Sequence, residues 1–435
     1  MTRIVISVLA RSLMAGEQSA QAAYARAVRT LGRPWRWLRP LAGRYAEAFS
    51  VGVRPRHRDV VRFLLEDGEF ARARRKYRHA ISIAECIPEP SRMQPVAAAT
   101  AWDLPRIETL GHLSDWLCLS PGELDWFADL KALGYKLSQP KLEHYHYRLL
   151  PKRSGGVRLM EIPKRNLKAV QRRILAGILD RIPAHPAAHG FITGRSIATF
   201  AAPHAGKQVL LRLDFQDFFP AFPGARAQAL FRTLGYPEPV ADRLGGICTN
   251  SVPRRVWSGC SADFETRMLY VRPHLPQGAP TSPALANLTA WHLDCRLAAL
   301  AESAGASYTR YADDLAFSGD RDFARAVERF AVHAAAIALE EGFSVNHQKT
   351  RIMRQGVRQH LAGIVVNASV SPYRRDRKLL EAILTNCVRH GPASQNRAAV
   401  PDFRAHLEGR VGCMEMIDRE KARRLRTLFE AINWE

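Results

Sequence analysis

The twelve residues from Ser307 to Ser318, Ser-Tyr-Thr-Arg-Tyr-Ala-Asp-Asp-Leu-Ala-Phe-Ser, constrain this chain more than any other stretch. Tyr308, Thr309 and Tyr311 before the acidic pair, and Leu315, Ala316 and Phe317 after it, favour strand, so Asp313 and Asp314 fall at a hairpin tip. Successive strand residues point to opposite faces, and only a tight turn gathers neighbouring carboxylates. Like charges held that close are costly without a cation, and hard oxygen ligands on a short turn suit Mg²⁺. A solvated Asp-Asp turn is the bland alternative, since acids are common turn residues. The apolar and aromatic flanks press this turn against a core and favour the cation.

A second acid has similar surroundings. The run Val209-Leu-Leu-Arg-Leu-Asp214 ends a buried strand in a carboxylate, where an unpaired charge is expensive unless it holds a cation or caps the following turn. Phe219, five residues on, is close enough to line the same pocket. Asp214, Asp313 and Asp314 together can hold two Mg²⁺ ions, with Mn²⁺ as a substitute, in the arrangement used for phosphoryl transfer. The charge balance names the partner class. With 64 Lys+Arg against 41 Asp+Glu, the net charge is +23, mostly from arginine, which favours bidentate phosphate contact. No apolar run approaches the roughly 18 residues a membrane span needs. Ile4 to Ala10 is too short for a secretory signal, and seven cysteines without a Cys-x-x-Cys pair fit buried thiols in a reducing cytoplasm.

Residues 1–100 read as a basic, mainly helical extension. Trp35 and Trp37, interleaved with Arg33, Arg36 and Arg39, either stack bases or anchor a helix to its core. Arg72 to Arg78 is either a phosphate-facing surface or a solvated face. Ser120 and Glu123 form a capping box. Tyr145 to Pro163 reads as a hairpin whose basic tip carries Lys152 and Arg153, with Arg158 on the return strand, a shape that suits a triphosphate clamp or an ordinary charged hairpin. A helix over Lys164 to Ile182 follows; His185 and His189 lie four apart, but Pro183 and Pro186 break the helix that would align them on a metal. Leu275 to Pro283 is a rigid loop before a helix from Ala284 to Leu300. Its Gly278 permits close backbone approach to a flat partner, and Gln277 can donate and accept at a base edge. A helix from Arg374 would bury Leu379, Leu380, Ile383 and Leu384. Its Arg374, Arg375 and Lys378 either follow a nucleic-acid backbone or lie in water. Leu425, Leu428, Phe429 and Ile432 mark one more apolar helix face.

Six of these segments stand in an order that resembles a reverse transcriptase over residues 110–435. They are Pro151 to Pro163, His189-Gly-Phe-x-x-Gly-Arg-Ser196, Leu213-Asp-x-x-x-Phe-Phe219, Pro276-Gln-Gly-x-Pro-x-Ser-Pro283, Tyr311-Ala-Asp-Asp314 and Asn346-x-x-Lys-Thr350. The resemblance implies an α+β right-hand polymerase: fingers over 105–205, a palm of antiparallel sheet plus helices over 206–352, and the palm end with a helical thumb over 353–435. It implies RNA-templated synthesis of DNA from deoxynucleotides. Asp214, Asp313 and Asp314 would bind metal and Lys349 would protonate pyrophosphate. Lys152 and Arg158 would hold the triphosphate beside Gln277 and Gly278, Phe219 would exclude a 2′-hydroxyl, and Arg195 would meet nucleic acid. Within the family the bacterial retron type is the nearest in form. That type implies a structured non-coding RNA as template-primer, priming from a guanosine 2′-hydroxyl, a branched RNA–DNA product, a phage-defence role and a separate effector protein. Two departures touch recognition of the RNA: Phe200-Ala-Ala-Pro-His204 stands for Asn-Ala-x-x-His, and Leu361-Ala-Gly363 for Val-Thr-Gly. The alternatives are another bacterial defence reverse transcriptase without the branch, and a non-catalytic RNA-binding scaffold.

Overall fold

The computed structural model describes residues 3–17, 19–49, 55–77, 79–87, 92–131, 140–151, 156–258 and 264–434. Two compact units are interleaved along the chain. One is Met1–His146, Pro163–Arg181 and Gly224–Ser258; the other is Tyr147–Ile162, Ile182–Pro223 and Gly259–Glu435.

The first unit is helical. Helices Arg3–Met14, Ala20–Leu31, Leu38–Ala48, His57–Glu66 and Gly68–Lys76 converge on Leu9, Leu13, Leu41, Tyr45, Leu64 and Phe70. Their ends are set by local chemistry. Ser19 accepts from the Ala22 amide, Gly32 takes the left-handed C-cap at φ +67°, and Asp67 accepts from Phe70 while Arg44 holds it at 2.7 Å. The two tryptophans are core anchors here: Trp37 is buried against Phe70, and Trp35 packs on Tyr77. Burial takes the Trp37 ring out of reach of a base, whereas Trp35 is half-buried with Arg33 over its ring. Arg72, Arg75 and Lys76 are exposed; Arg78 lies outside the described residues. The capping box of helix Pro121–Ala128 is formed by Ser120 and Glu123 as its sequence predicts. The expected helix from Lys164 ends at Gly177 and continues as a 3₁₀ turn, Leu179–Arg181. Its Gln171, wholly buried, donates to the Tyr145 hydroxyl and the Ile247 carbonyl.

The second unit is built on a four-stranded antiparallel sheet of β3 (Val209–Asp214), β4 (Ser307–Tyr311), β5 (Asp314–Gly319) and β6 (Arg351–Arg354), in the order β4-β5-β3-β6. The hairpin β1 (Tyr145–Pro151) and β2 (Val157–Pro163) precedes it. A small sheet of β7 (His360–Leu361), β8 (Ile364–Val365) and β9 (Ser371–Pro372) follows. Strand β3 is central and covered on both faces, which is why its sequence reads as a continuous apolar run. Helix Arg321–Glu340 lies on one face, its Phe330 ring 5.0 Å from Phe317. On the other, Leu210, Ala316 and Met353 pack with Phe200, Leu361, Ile364 and Val366.

Helices Arg374–His390, Phe403–Ile417 and Arg419–Glu430 share a separate core of Leu380, Leu384, Leu407, Val411, Leu425 and Phe429. Leu428 packs partly against it and Ile432 is buried, as the terminal apolar face predicts. Leu379 departs from its expectation: it sits one position off the i, i+4 stripe of Leu380 and Leu384 and is 52% exposed. The expected helix from Ala284 to Leu300 is two helices, Ser282–Thr289 and Trp291–Ser303, broken at Ala290. Four cysteines expected to be buried, Cys86, Cys118, Cys295 and Cys413, are exposed thiols. No helix among the described residues is long and apolar enough to cross a membrane.

Candidate active site

Strands β4 and β5 form the hairpin that the Tyr-Ala-Asp-Asp stretch predicts, with Tyr311 opposite Asp314 and a two-residue tip, Ala312-Asp313. Ala312 carries φ +54°, the sign of the first position of a type II′ turn, where glycine is usual. Two contacts hold this strained tip. The Phe215 amide donates to the Asp313 carbonyl at 3.0 Å, and Arg310 Nη1 donates to the Ala312 carbonyl at 3.2 Å. Arg310 is fully buried on the helix-covered face, where Asp294 takes its guanidinium at 2.6 and 2.8 Å and Asn287 Oδ1 accepts at 3.0 Å. Tyr308 donates its hydroxyl to the same Asp294. The hairpin thus rests on a buried, fully bonded charge pair, which desolvation would otherwise make costly.

Asp214 and Asp314 are cross-strand partners, so both carboxylates leave the same face of the sheet, with Asp313 at the adjoining tip. Asp214 is 3% exposed. The Asn346-x-x-Lys-Thr segment closes a turn against it: the Asn346 amide donates to the Asp214 carbonyl at 2.7 Å, and Lys349 Nζ reaches the Asp214 carboxylate at 2.8 and 3.2 Å. Arg212, two residues before Asp214 on the same face, donates through Nε and Nη2 to Asp314 Oδ1 at 2.9 and 2.6 Å. Among the described residues no ion pair holds Asp313. Burial, then the Asp314 and Asp214 charges, pushes its carboxyl up to about 6. Burial also raises Asp314, against the pull of Arg212.

Among the described residues, no three acidic, histidine or cysteine side chains are gathered into a ready-made cation cage. Lys349 and Arg212 hold two of the three carboxylates as ion pairs. The donor set nevertheless fits a hard divalent ion: Asp214 and Asp314 face each other in register across β3 and β5, and Asp313, raised by burial and by those two charges, stands at the adjoining tip.

The turn after β3 presents Phe219. Phe215, Phe218, Phe222 and Phe343 interlock with ring centroids 5.0–6.1 Å apart, leaving Phe219 half-buried beside them. Gln277 and Gly278 pair with β2: the Glu161 amide donates to the Gln277 carbonyl at 2.8 Å, and a Cβ on Gly278 would lie 2.8 Å from the Glu161 carbonyl oxygen. Gly278 is thus required by the close approach of a protein strand. Beneath this loop Glu161 and His274, both buried, pair at 2.9 Å, and the carboxylate raises the imidazole against the opposing effect of burial.

Other expected contacts fall elsewhere. Arg158 is exposed on β2, whereas Lys152 and Arg153 lie outside the described residues. Arg195 spends one guanidinium nitrogen on the carbonyls of Pro186 and Ala188, bracing its own loop. Arg374, Arg375 and Lys378 are exposed along the first turns of their helix. His204 and Leu361, expected to bear on RNA recognition, are wholly buried core residues. His204 bridges β4 and β5 through Thr309 Oγ1 at 2.7 Å and Ser318 Oγ at 2.6 Å. Leu361 begins a hairpin turned by Ala362 and Gly363 at φ +45° and +83°. Sequence reasoning missed Arg212, Arg310 with Asp294, and the Glu161–His274 pair. Arg212 leaves a trace, a charged residue inside the apolar run Val209-Leu-Leu-Arg-Leu213, whereas the others stand among polar or charged neighbours.

Residues 150–383, more than half of the chain, match the family described as Reverse transcriptase (RNA-dependent DNA polymerase). The retron Mx65 reverse transcriptase of Myxococcus xanthus is 44% identical over 297 residues, covering 67% of this chain and 66% of that protein. The retron Mx162 reverse transcriptase of the same organism is 37% identical over 298 residues, 66% of this chain and 58% of its own. The retron Ec86 reverse transcriptase of Escherichia coli is 33% identical over 227 residues, 51% and 64% respectively. The chain spans 58–66% of the length of these curated relatives. With the acidic hairpin, the aspartate opposite it and the lysine turn all inside the matched region, the chain belongs to the reverse transcriptase family, in its bacterial retron type.

Proposed function

We propose that this protein is an RNA-directed DNA polymerase that copies a structured non-coding RNA into single-stranded DNA. The observation that carries the reading is the register of Asp214 against Asp314, with Asp313 at the tip between their strands. Two Mg²⁺ ions held by these carboxylates would supply activation of the primer hydroxyl and neutralisation of the phosphates. The chain's own groups do the rest. Lys349, the ammonium on Asp214, is the proton source assigned to leaving pyrophosphate. The exposed Arg158, with Lys152, binds the triphosphate by charge. Phe219, half-buried on the turn after β3, would exclude a 2′-hydroxyl and so select deoxynucleotides. The pairing of Gln277 and Gly278 with β2 ties the nucleotide-facing loop to that clamp.

In this reading residues 105–205 are fingers, 206–352 palm and 353–435 the palm end and thumb. The exposed Arg374, Arg375 and Lys378 then follow the backbone of the template-primer duplex. Similarity to proteins named as retron reverse transcriptases supports the finer reading: priming from a 2′-hydroxyl, a branched RNA–DNA product, and a cytoplasmic role in phage defence beside a separate effector. The test is the nucleic acid that co-purifies with the protein from its native locus, beside the Asp313→Ala/Asp314→Ala variant. A small DNA whose mobility shifts on debranching, absent from the variant, supports the whole reading. Unbranched DNA removes the retron product, and RNA without DNA in both samples removes the polymerase.

A further inference from the structure

One exposed aromatic beside the acids is left unused by this chemistry. Phe191 is 56% exposed and holds φ +60°, a left-handed conformation that a bulky residue keeps only where its surroundings impose it. The imposition is visible. The His189 amide donates to the Arg310 carbonyl at 2.7 Å, docking this segment along the edge of β4. Gly190 follows, so close to the hairpin that a Cβ would lie 2.8 Å from the Ala312 nitrogen, and its carbonyl accepts from buried Asn287 at 2.8 Å. Arg195 ties the far side of the loop to two carbonyls. The result is a phenyl ring 6.1 Å from Tyr311, the residue opposite Asp314 on the acidic hairpin, and 6.4 Å from Phe219. Folding alone accounts for neither feature, since an exposed ring adds little to the core and glycine would relieve the backbone.

We propose that Phe191, backed by Tyr311, is a stacking shelf for the sugar–base surface at the recessed 3′ end of the template-primer hybrid. The inference rests on the polymerase reading for its ligand. A rigid aromatic shelf suits that ligand because every base and sugar offers a flat apolar surface, so contact is tolerant of sequence while still sensing the duplex end.

The full-length protein is compared with Phe191→Ala, Phe191→Gly and Phe191→Trp. The readouts are anisotropy of a fluorescein-labelled RNA template–DNA primer in EDTA, primer extension, and thermal melting. Phe191→Ala keeps the strained backbone, whereas Phe191→Gly releases it. The expected result is five- to twentyfold weaker hybrid binding for both, with near-wild-type binding for Phe191→Trp. KM for deoxynucleotide should stay within twofold, and Phe191→Gly should melt higher than wild type although it binds worse. Hybrid binding within twofold of wild type in the Ala and Gly variants overturns the shelf, as does a loss confined to deoxynucleotide KM. Binding as weak in Phe191→Trp as in Phe191→Ala, with both melting lower, makes the ring structural and also overturns it. Wild type that binds the hybrid through Phe191 yet makes no DNA leaves the shelf standing and sinks the polymerase.

Discussion

His204 offers a demanding test of how the catalytic sheet is held. Thr309 Oγ1 donates its one hydroxyl proton to the Phe200 carbonyl at 3.0 Å, so it can only accept from His204 Nε2–H at 2.7 Å. Nδ1 must then accept from the Ser318 hydroxyl at 2.6 Å. One neutral tautomer satisfies all three groups, and nothing nearby takes a second ring proton without reversing Ser318. Burial accordingly drives the imidazole down to about 3. His204→Ala removes two buried hydrogen bonds, each about 1–1.5 kcal/mol, and leaves a cavity that adds about 1–2 kcal/mol. The expected loss is about 4 kcal/mol, or a melting point lower by roughly 8–12 °C. The pH dependence follows from the same group. Because the folded form binds its proton less well than the unfolded chain, the stabilisation is complete above about 6.5 and declines as pH falls toward 3. Thermal melting of wild type and variant between pH 4 and 8 measures both. A variant melting within about 2 °C of wild type, or showing the same acid decline, refutes the assignment.

Three further perturbations test the supports of the site. Asp294→Asn leaves Arg310 charged and half-partnered at zero exposure, which should cost about 3–5 kcal/mol and lower extension activity; a stability change under 1 kcal/mol would show that the pair is not the hairpin's support. Gly278→Ala sets a Cβ 2.8 Å from the Glu161 carbonyl at φ +128°, so β2 or the loop must shift; KM for deoxynucleotide should rise at least threefold, and unchanged kinetics would contradict the contact. In EDTA, Asp313, raised to about 6, binds a proton more tightly folded than unfolded, so the protein should lose up to about 3 kcal/mol as pH rises from about 4 through 6. Asp313→Asn should abolish that decline along with DNA synthesis, and persistence of the decline would place its origin elsewhere.

The acids were legible in the sequence because their setting is local. A strand period fixes which residues flank Asp313 and Asp314, and an apolar run ending in Asp214 marks a buried strand end without any tertiary knowledge. The capping box of Ser120 and Glu123 was legible for the same reason. What keeps the acids in place was not. Arg310 and Asp294 are sixteen residues apart on a strand and a helix, and Glu161 and His274 are 113 apart; each reads in isolation as a surface charge. Gly278 shows the same limit from the other side, since its need for close approach was visible but the approaching strand was not. His204 sharpens the point. A histidine in a motif associated with RNA recognition reads as a contact residue, yet two hydroxyls on opposite strands of the hairpin make it an internal brace. In the polymerase reading proposed above, its motif would then act on RNA through the sheet that carries Tyr311 and the two aspartates. Changing His204 should therefore weaken every template alike, and a variant that folds but discriminates against one RNA would restore a direct role.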